Sequence, residues 1–175
     1  MRYISYCFFI ILILNSFRLF GQGQIRSASL TANGLTCSIC SKAIYRALLK
    51  VPSIEKVQVN IQKSSFQIEF TNKAPVDLDV VKKAVEDAGF SVASLQLNTF
   101  FDHIPIANNV EVLLQGARFQ FWGVTQQTLN GETTLTVVDK NYLPGSAYAK
   151  YKLYSTAKST GSEKIESTHV YHVTL

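Results

Sequence analysis

Two cysteines, Cys37 and Cys40, share the run Gly34-Leu35-Thr36-Cys37-Ser38-Ile39-Cys40. The chain has 3 cysteines in all, and the third, Cys7, falls in an apolar leader. Two thiolates at this spacing can face one ion, and sulfur donors favour Cu(I), Zn(II) and similar ions over Ca(II) or Mg(II). The pair lies where loop residues give way to a helical pattern. A helix start presents unpaired backbone N–H groups and partial positive charge, which favour thiolate over thiol. The same arrangement serves dithiol redox chemistry, above all in an oxidising compartment. The plainer alternative is an ordinary disulfide or two small buried residues. A structural zinc site normally takes four protein ligands, and no second CxxC or nearby His supplies the other two.

The elements that must position this pair follow from periodicity. Ala28, Leu30 and Ala32 alternate with Ser27, Ser29 and Thr31 as in a half-buried strand. Ile39, Ala43, Ile44, Ala47, Leu48 and Val51 recur at helical spacing, and Pro52-Ser53 stops that helix. Val57, Val59 and Ile61 alternate, as do Phe66, Ile68 and Phe70, with a turn at Gln62-Lys63-Ser64-Ser65. Val76, Val80, Val81, Ala84, Val85 and Ala88 form a second helical stripe, which Gly89 is placed to end. Phe90, Val92, Leu95 and Leu97 read as a last strand. The two helical stripes share their internal offsets, so each can lay a similar apolar ribbon on one sheet. The order strand, helix, strand, strand, helix, strand over residues 25–97 predicts a ferredoxin-like βαββαβ domain.

These residues resemble the heavy-metal-associated domain, the module of copper chaperones, copper-ATPase N-terminal repeats and periplasmic mercury-binding proteins. Gly34-Leu35-Thr36-Cys37-Ser38-Ile39-Cys40 is similar to the family's GMTCxxC. Val57-Gln58-Val59-Asn60 after the first helix and Glu86-Asp87-Ala88-Gly89-Phe90 closing the second extend the match. The resemblance implies Cu(I), Hg(II), Zn(II) or Cd(II) held by Cys37 and Cys40. It also implies a partner with exposed thiols, either a metal-transporting membrane protein or another metal-handling protein. Leu35 stands where the family has Met, a residue that packs inward. Phe90 stands where many bacterial members carry Tyr and eukaryotic ones Lys; it can shield the site but cannot donate a hydrogen bond to a thiolate. No acid adjoins the cysteines, as it often does in zinc-preferring members, so Cu(I) is favoured over Zn(II).

Residues 98–175 follow another pattern. Val110–Leu114, Arg118–Val124, Thr133–Val138, Tyr148–Tyr154 and Thr168–Leu175 read as five strands. Asn130-Gly131 reads as a hairpin turn, Asp139–Gly145 as a loop and Ser159–Ser162 as a turn. These predict a small all-β domain, a five-stranded barrel or sandwich with an OB-like barrel among the candidates. The whole chain is thus expected to be α+β.

Residues 1–21 read as a signal peptide: Arg2, an apolar run from Tyr3 to Leu14, and small residues with cleavage expected near Gly21 or Gly23. The run is shorter than the ~20 residues that span a bilayer; an uncleaved N-terminal anchor is the alternative. Export, most simply to a periplasm, is the expectation, with no membrane contact for the mature protein. Formal charge is +5, and +3 without the leader. The cations are scattered, unlike the blocks of nucleic-acid arms, so no nucleic-acid partner is expected. The aromatics Phe119, Phe121, Trp122, Tyr142, Tyr148, Tyr151 and Tyr154 read as core and sheet surface rather than a base-stacking platform. His169 and His172 would point to opposite faces of one strand and so not share an ion, while His103 follows the domain junction. No catalytic triad or carboxylate pair suggests an enzyme. The reading is a soft-metal carrier or buffer, set against a dithiol redox protein and against a metal-responsive adaptor acting through its all-β domain.

Overall fold

The computed structural model describes residues 23–35, 38–154 and 169–175. The leader of residues 1–21, Cys37 and the turn expected at Ser159–Ser162 lie outside the described residues. Among those described, no helix is long and apolar enough to cross a membrane.

The N-terminal part has strand β1 (Gln24–Asn33), helix α1 (Ser38–Leu48), strands β2 (Ile54–Asn60) and β3 (Ser65–Phe70), helix α2 (Leu78–Asp87) and strand β4 (Ser91–Ile106). The strands lie in the order β2-β3-β1-β4, all antiparallel, with both helices packed on the sheet. This is the expected ferredoxin-like arrangement. Helix α1 faces the sheet with Ser41, Ile44 and Leu48, and α2 with Leu78, Val81 and Val85. Asp77 caps α2 by accepting from Asp79 N at 2.9 Å and Val80 N at 3.2 Å. At the other end Gly89, at φ +89°, lets its own N–H reach Glu86 O and the Phe90 N–H reach Val85 O. That pattern satisfies carbonyls the helix would otherwise leave bare.

The C-terminal part adds β5 (Glu111–Leu114), β6 (Ala117–Phe121), β7 (Gln127–Val137), helix α3 (Gly145–Tyr151), a 3-10 turn (Lys152–Tyr154) and β8 (Val170–Thr174). These strands continue the same sheet, so that eight strands run β2-β3-β1-β4-β7-β8-β6-β5. The junction expected at residue 98 falls inside β4. The β6–β8 pair is parallel, so the sheet is mixed.

Two expectations fail here for physical reasons. The stretch 148–154 is helical, not a strand. Its half-buried residues, Ala147, Tyr148 and Tyr151, fall at i, i+1 and i+4, a helical spacing. Pro144 sets the helix entry, its carbonyl accepting from Ala147 N and Tyr148 N, and Ala and Lys propagate it well. The part is therefore not all-β. Asn130-Gly131 is no hairpin turn either; it lies within β7. Phe101 pairs with Gly131 and Ile104 with Leu129, leaving one extra residue on β4. Gly131 at φ +89° and His103 at φ +51° accommodate this bulge. A positive φ is what a hairpin turn also needs, which is why the dipeptide reads both ways.

The tight turn of this half is Gln115-Gly116 instead, between Leu114 and Ala117, which face each other in the ladder. Both central residues have positive φ, 46° and 85°, as a type I′ turn requires. This turn returns to the N-terminal part. Gln115 Oε1 accepts from Ile25 N at 2.9 Å, and Gln115 O accepts from Val76 N at 3.0 Å. Strands β1 and β5 lie far apart in sheet order, so these bonds require the strands beyond β4 to curl back. The curl encloses Phe119, Phe121, Leu135 and Val173 in one core with Leu30, Ile44, Val81 and Val85.

Thr99 faces this core from β4, 1 % exposed, and among the described residues its hydroxyl has no hydrogen-bond partner. Such a group costs about 1–3 kcal/mol. Thr99→Val keeps the shape and removes the hydroxyl, so it should stabilise the protein by about 1 kcal/mol in urea unfolding; a loss would show that the hydroxyl is satisfied. Gly116 offers a second test. A Cβ there would lie 2.9 Å from Pro75 Cβ, whereas one on Gly131 meets nothing within 4 Å. Gly131→Ala should cost about 1 kcal/mol for its backbone alone, and Gly116→Ala measurably more in the same assay.

Candidate metal centre

Strand β1 ends at Asn33, whose Nδ2 donates to Ser91 Oγ at 3.3 Å and whose backbone pairs with Ser91. Gly34 then turns at φ +79°, and Leu35 packs against the core. This inward role is the one the resemblance implied for Leu35. Helix α1 opens at Ser38, with no acidic residue in its first turn. Cys40 is half-buried in that turn. Its neighbour in the motif, Cys37, lies outside the described residues. A Cβ at Gly34 would sit 3.8 Å from Phe90 Cδ1, so the Phe90 ring flanks the loop. Gly34 and Leu35 thus leave the β1–β4 ladder with the Phe90 ring beside Gly34, and the described chain resumes in α1 at Ser38. A helix N-terminus presents N–H dipoles that favour a thiolate over a thiol, and the first turn of α1, which holds Cys40, carries no acid.

Ile39 differs from its expected place in the helical core stripe: it is 79 % exposed. At 3.6 residues per turn it points about 140° away from Ile44. The apolar side chain between the cysteines therefore projects to solvent beside the loop.

The histidines do not converge. His103 sits in the exposed β4 bulge beside Asp102, with Nδ1 2.7 Å from Asp102 Oδ1. His172 Nδ1 lies 2.6 Å from Asp139 Oδ1, and its ring stacks on Trp122 with centroids 3.7 Å apart. His169 Nδ1 reaches Asp79 Oδ2. Among the described residues no three His, Cys, Asp or Glu side chains come together as a metal site would need.

The His169 contact belongs to a cluster that sequence reasoning missed. Tyr171 OH donates to Asp77 Oδ1 at 3.1 Å and accepts from Asp79 N at 3.1 Å. Tyr142 OH donates to Asp79 Oδ1 at 3.2 Å. Asp77 and Asp79 are the cap and first turn of α2, so the C-terminal part grips this helix at its N-terminal end. The stripe read from Val76 runs past Asp77, which caps the helix, and so hid the helix start; the tyrosines that bind Asp77 and Asp79, more than sixty residues away, carry no local signal. Helix α2 is 10 residues long, about 15 Å, and the metal loop lies at its other end. The grip therefore lies a helix length away from Gly34, where the loop leaves β1.

The fold and this loop define a class: a ferredoxin-like domain with a cysteine-bearing loop at a helix start. The family model of the heavy-metal-associated domain matches residues 29–91, and that stretch is a heavy-metal-associated domain. A probable copper-exporting P-type ATPase of Archaeoglobus fulgidus is 33% identical over 63 residues, 36% of this chain and 8% of that protein. A copper-transporting ATPase of Helicobacter pylori is 38% identical over 58 residues, 33% of this chain and 8% of that protein. This chain therefore spans only 8% of the length of either relative. Among solved structures, oxidized MerP from Ralstonia metallidurans CH34 is 29% identical, covering 40% of this chain and 96% of that one, with a TM-score of 0.35. The CopZ metallochaperone is 24% identical, covering 38% of this chain and 98% of that one, with a TM-score of 0.36.

Burial raises the pKa of both cluster tyrosines above the ordinary 10.0, and the Asp79 charge pushes in the same direction. A tyrosine with a raised folded-state pKa keeps its proton after the unfolded chain has lost it. Its contribution is full below pH 10 and declines as pH rises beyond that value. Tyr142→Phe and Tyr171→Phe should each cost about 1 kcal/mol at neutral pH. Each should also flatten the fall in stability between neutral and strongly alkaline pH, read by urea unfolding at a series of pH values. An unchanged slope in both variants would detach the tyrosines from the alkaline limb.

Proposed function

We propose that the protein is an exported carrier or buffer of a soft metal ion, with Cu(I) as its cargo, captured by Cys37 and Cys40. The observation that carries this reading is the heavy-metal-associated domain itself, with Cys40 in the first turn of α1 and no acid beside it. The identity to copper-transporting ATPases over the same residues supports copper in particular. A two-coordinate S–Cu–S site needs only two thiolates, and soft ligands suit Cu(I). Transfer would proceed by ligand exchange: an incoming thiolate binds the ion, one of the two cysteines releases it, and a second exchange completes the move. The partner is a metal-transporting membrane protein or another metal-handling protein with exposed thiols. The reading assigns no catalysis. The leader of residues 1–21 is the ground for export to a periplasm.

The test is a titration of the reduced protein with Cu(I), Zn(II) and Hg(II) against a competing chelator, beside C37S/C40S. We expect one tight equivalent of Cu(I), lost in the double variant and not matched by Zn(II). No tight metal, together with a readily reduced disulfide, would overturn the carrier reading in favour of dithiol redox chemistry.

A further inference from the structure

Strand β5 ends the sheet: β6 pairs with one side of it, and among the described residues no strand pairs with the other. The Gln115-Gly116 turn fixes which backbone groups face that open side. A two-residue turn of this type closes on a hydrogen-bonded pair, here Leu114 with Ala117, and bonded pairs alternate along an antiparallel ladder. Val112 therefore bonds to Phe119, and at the far end Phe121 N donates to Val110 O at 3.0 Å. Glu111 and Leu113 turn their N–H and C=O groups outward. The side chains alternate as well. Val112 and Leu114 pack on the core, while Leu113 points away from it and is 68 % exposed. On that outer face Arg118 stands directly opposite Leu113 and donates to Glu111. An exposed leucine on a bare edge is a template for strand pairing. The other edge of the sheet, β2, is blunted: Glu55 and Lys56 sit on it, at a break in register between Ile54 and Lys56.

We propose that β5 pairs with β5 of a second copy of this chain, antiparallel about a two-fold axis at Val112. This register sets Glu111 against the partner's Leu113, and Leu113 against the partner's Glu111. Every outward N–H then meets an outward C=O. An axis at Glu111 would set two carboxylates opposite each other, and one at Leu113 would run Glu111 beyond the end of the partner strand. Across the outer face the row becomes Arg118, Leu113 and the partner's Glu111. The cation and the carboxylate stand two strand spacings apart, about 10 Å between backbones, and their long side chains meet over Leu113. The axis repeats this row, and the two Leu113 side chains meet on the diagonal. The surface is self-complementary, as an isologous contact requires, and such a contact closes at two copies. Charge and symmetry together select a second copy as the occupant. Four residues a side make a small contact, so the pair forms and parts with concentration. The pairing uses no thiol and stands apart from the metal reading.

The test is sedimentation of the reduced, metal-free protein over a concentration series, with amide hydrogen exchange on the same samples. We expect a monomer–dimer equilibrium. Exchange at Glu111 and Leu113 should slow with concentration, while Val112 and Leu114, already bonded to β6, stay constant. Leu113→Pro removes an outward N–H where an edge strand tolerates proline, and should leave a folded monomer. Glu111→Arg alone and Arg118→Glu alone each set like charges across the axis, and each should weaken the pair roughly tenfold. Mixed, these two variants should pair with each other, because Arg118 of one then faces Glu111 of the other and the two inverted charges face each other. The mixture keeps the test decisive if Leu113→Pro does not fold. C37S/C40S should associate as the parent does. A monomer at every concentration would overturn the proposal. So would association that survives in Leu113→Pro, or a mixture no tighter than its components. Slow exchange at Glu111 and Leu113 in the monomer would overturn it too, by showing the edge closed within one chain. Protection gained only on adding an unrelated extended peptide would do the same, and would give the edge to another protein's strand.

Discussion

Strand β4 is bonded on both sides. Over Gln96–Phe100 it pairs with β1 along one edge and with β7 along the other. The remaining architecture follows from that double pairing. Its first residues close the ferredoxin-like sheet beside the metal loop, and its last residues start the second half of the sheet. On the outer face the connection is repeated by side chains: Asn98 donates to Ser27 Oγ at 3.3 Å and accepts from Thr134 Oγ1 at 3.0 Å. On the inner face Leu95, Leu97, Thr99 and Phe101 are all buried, so one continuous core spans both halves. In a compact metal module the last strand has an edge to protect. Here that edge is where a second set of strands begins.

The first half was legible because its signals are local. Alternation of Ala28, Leu30 and Ala32, the stripes of α1 and α2, and Gly89 at a helix end each report a conformation set by near neighbours. The start of the loop was legible for the same reason, through Gly34, whose positive φ turns the chain out of β1. The second half depends on partners far along the chain. Asn130-Gly131 supplies a positive φ that serves a turn or a bulge equally, and only the register against β4 decides. Tyr148, Lys150, Lys152 and Tyr154 fall on one side at a period of two, with Ala147, Ala149, Tyr151 and Leu153 on the other, yet burial of Ala147, Tyr148 and Tyr151 follows the helix. The clamp on α2 joins residues over ninety positions apart, and no pattern within a window can show it. Ile39 illustrates a subtler limit: an apolar residue near a stripe is outside it when the angle is wrong.

The metal loop and the clamp lie at opposite ends of α2. The N-terminal end carries Asp77 and Asp79, bound by Tyr142, Tyr171 and His169. The C-terminal end carries Gly89 and Phe90, which flanks the loop. The helix is therefore anchored by the second half of the chain at one end, while the candidate metal loop lies toward the other. The arrangement separates the clamp from the loop by the length of one helix and gives the domain a larger body.

Strand β8 lies between β6 and β7, parallel to one and antiparallel to the other. Residues 138–169 separate it from β7. During synthesis the ribosome therefore releases β6 and β7 with facing edges bare and a gap the width of one strand between them. The ferredoxin-like part can assemble as it emerges, but the second curl has to wait for a late segment to be threaded into its middle. Until then the nascent chain exposes two unsatisfied backbone rows, the surfaces on which strands of neighbouring chains stick. The order of residues along the chain thus fixes an interval of vulnerability that the finished sheet does not show.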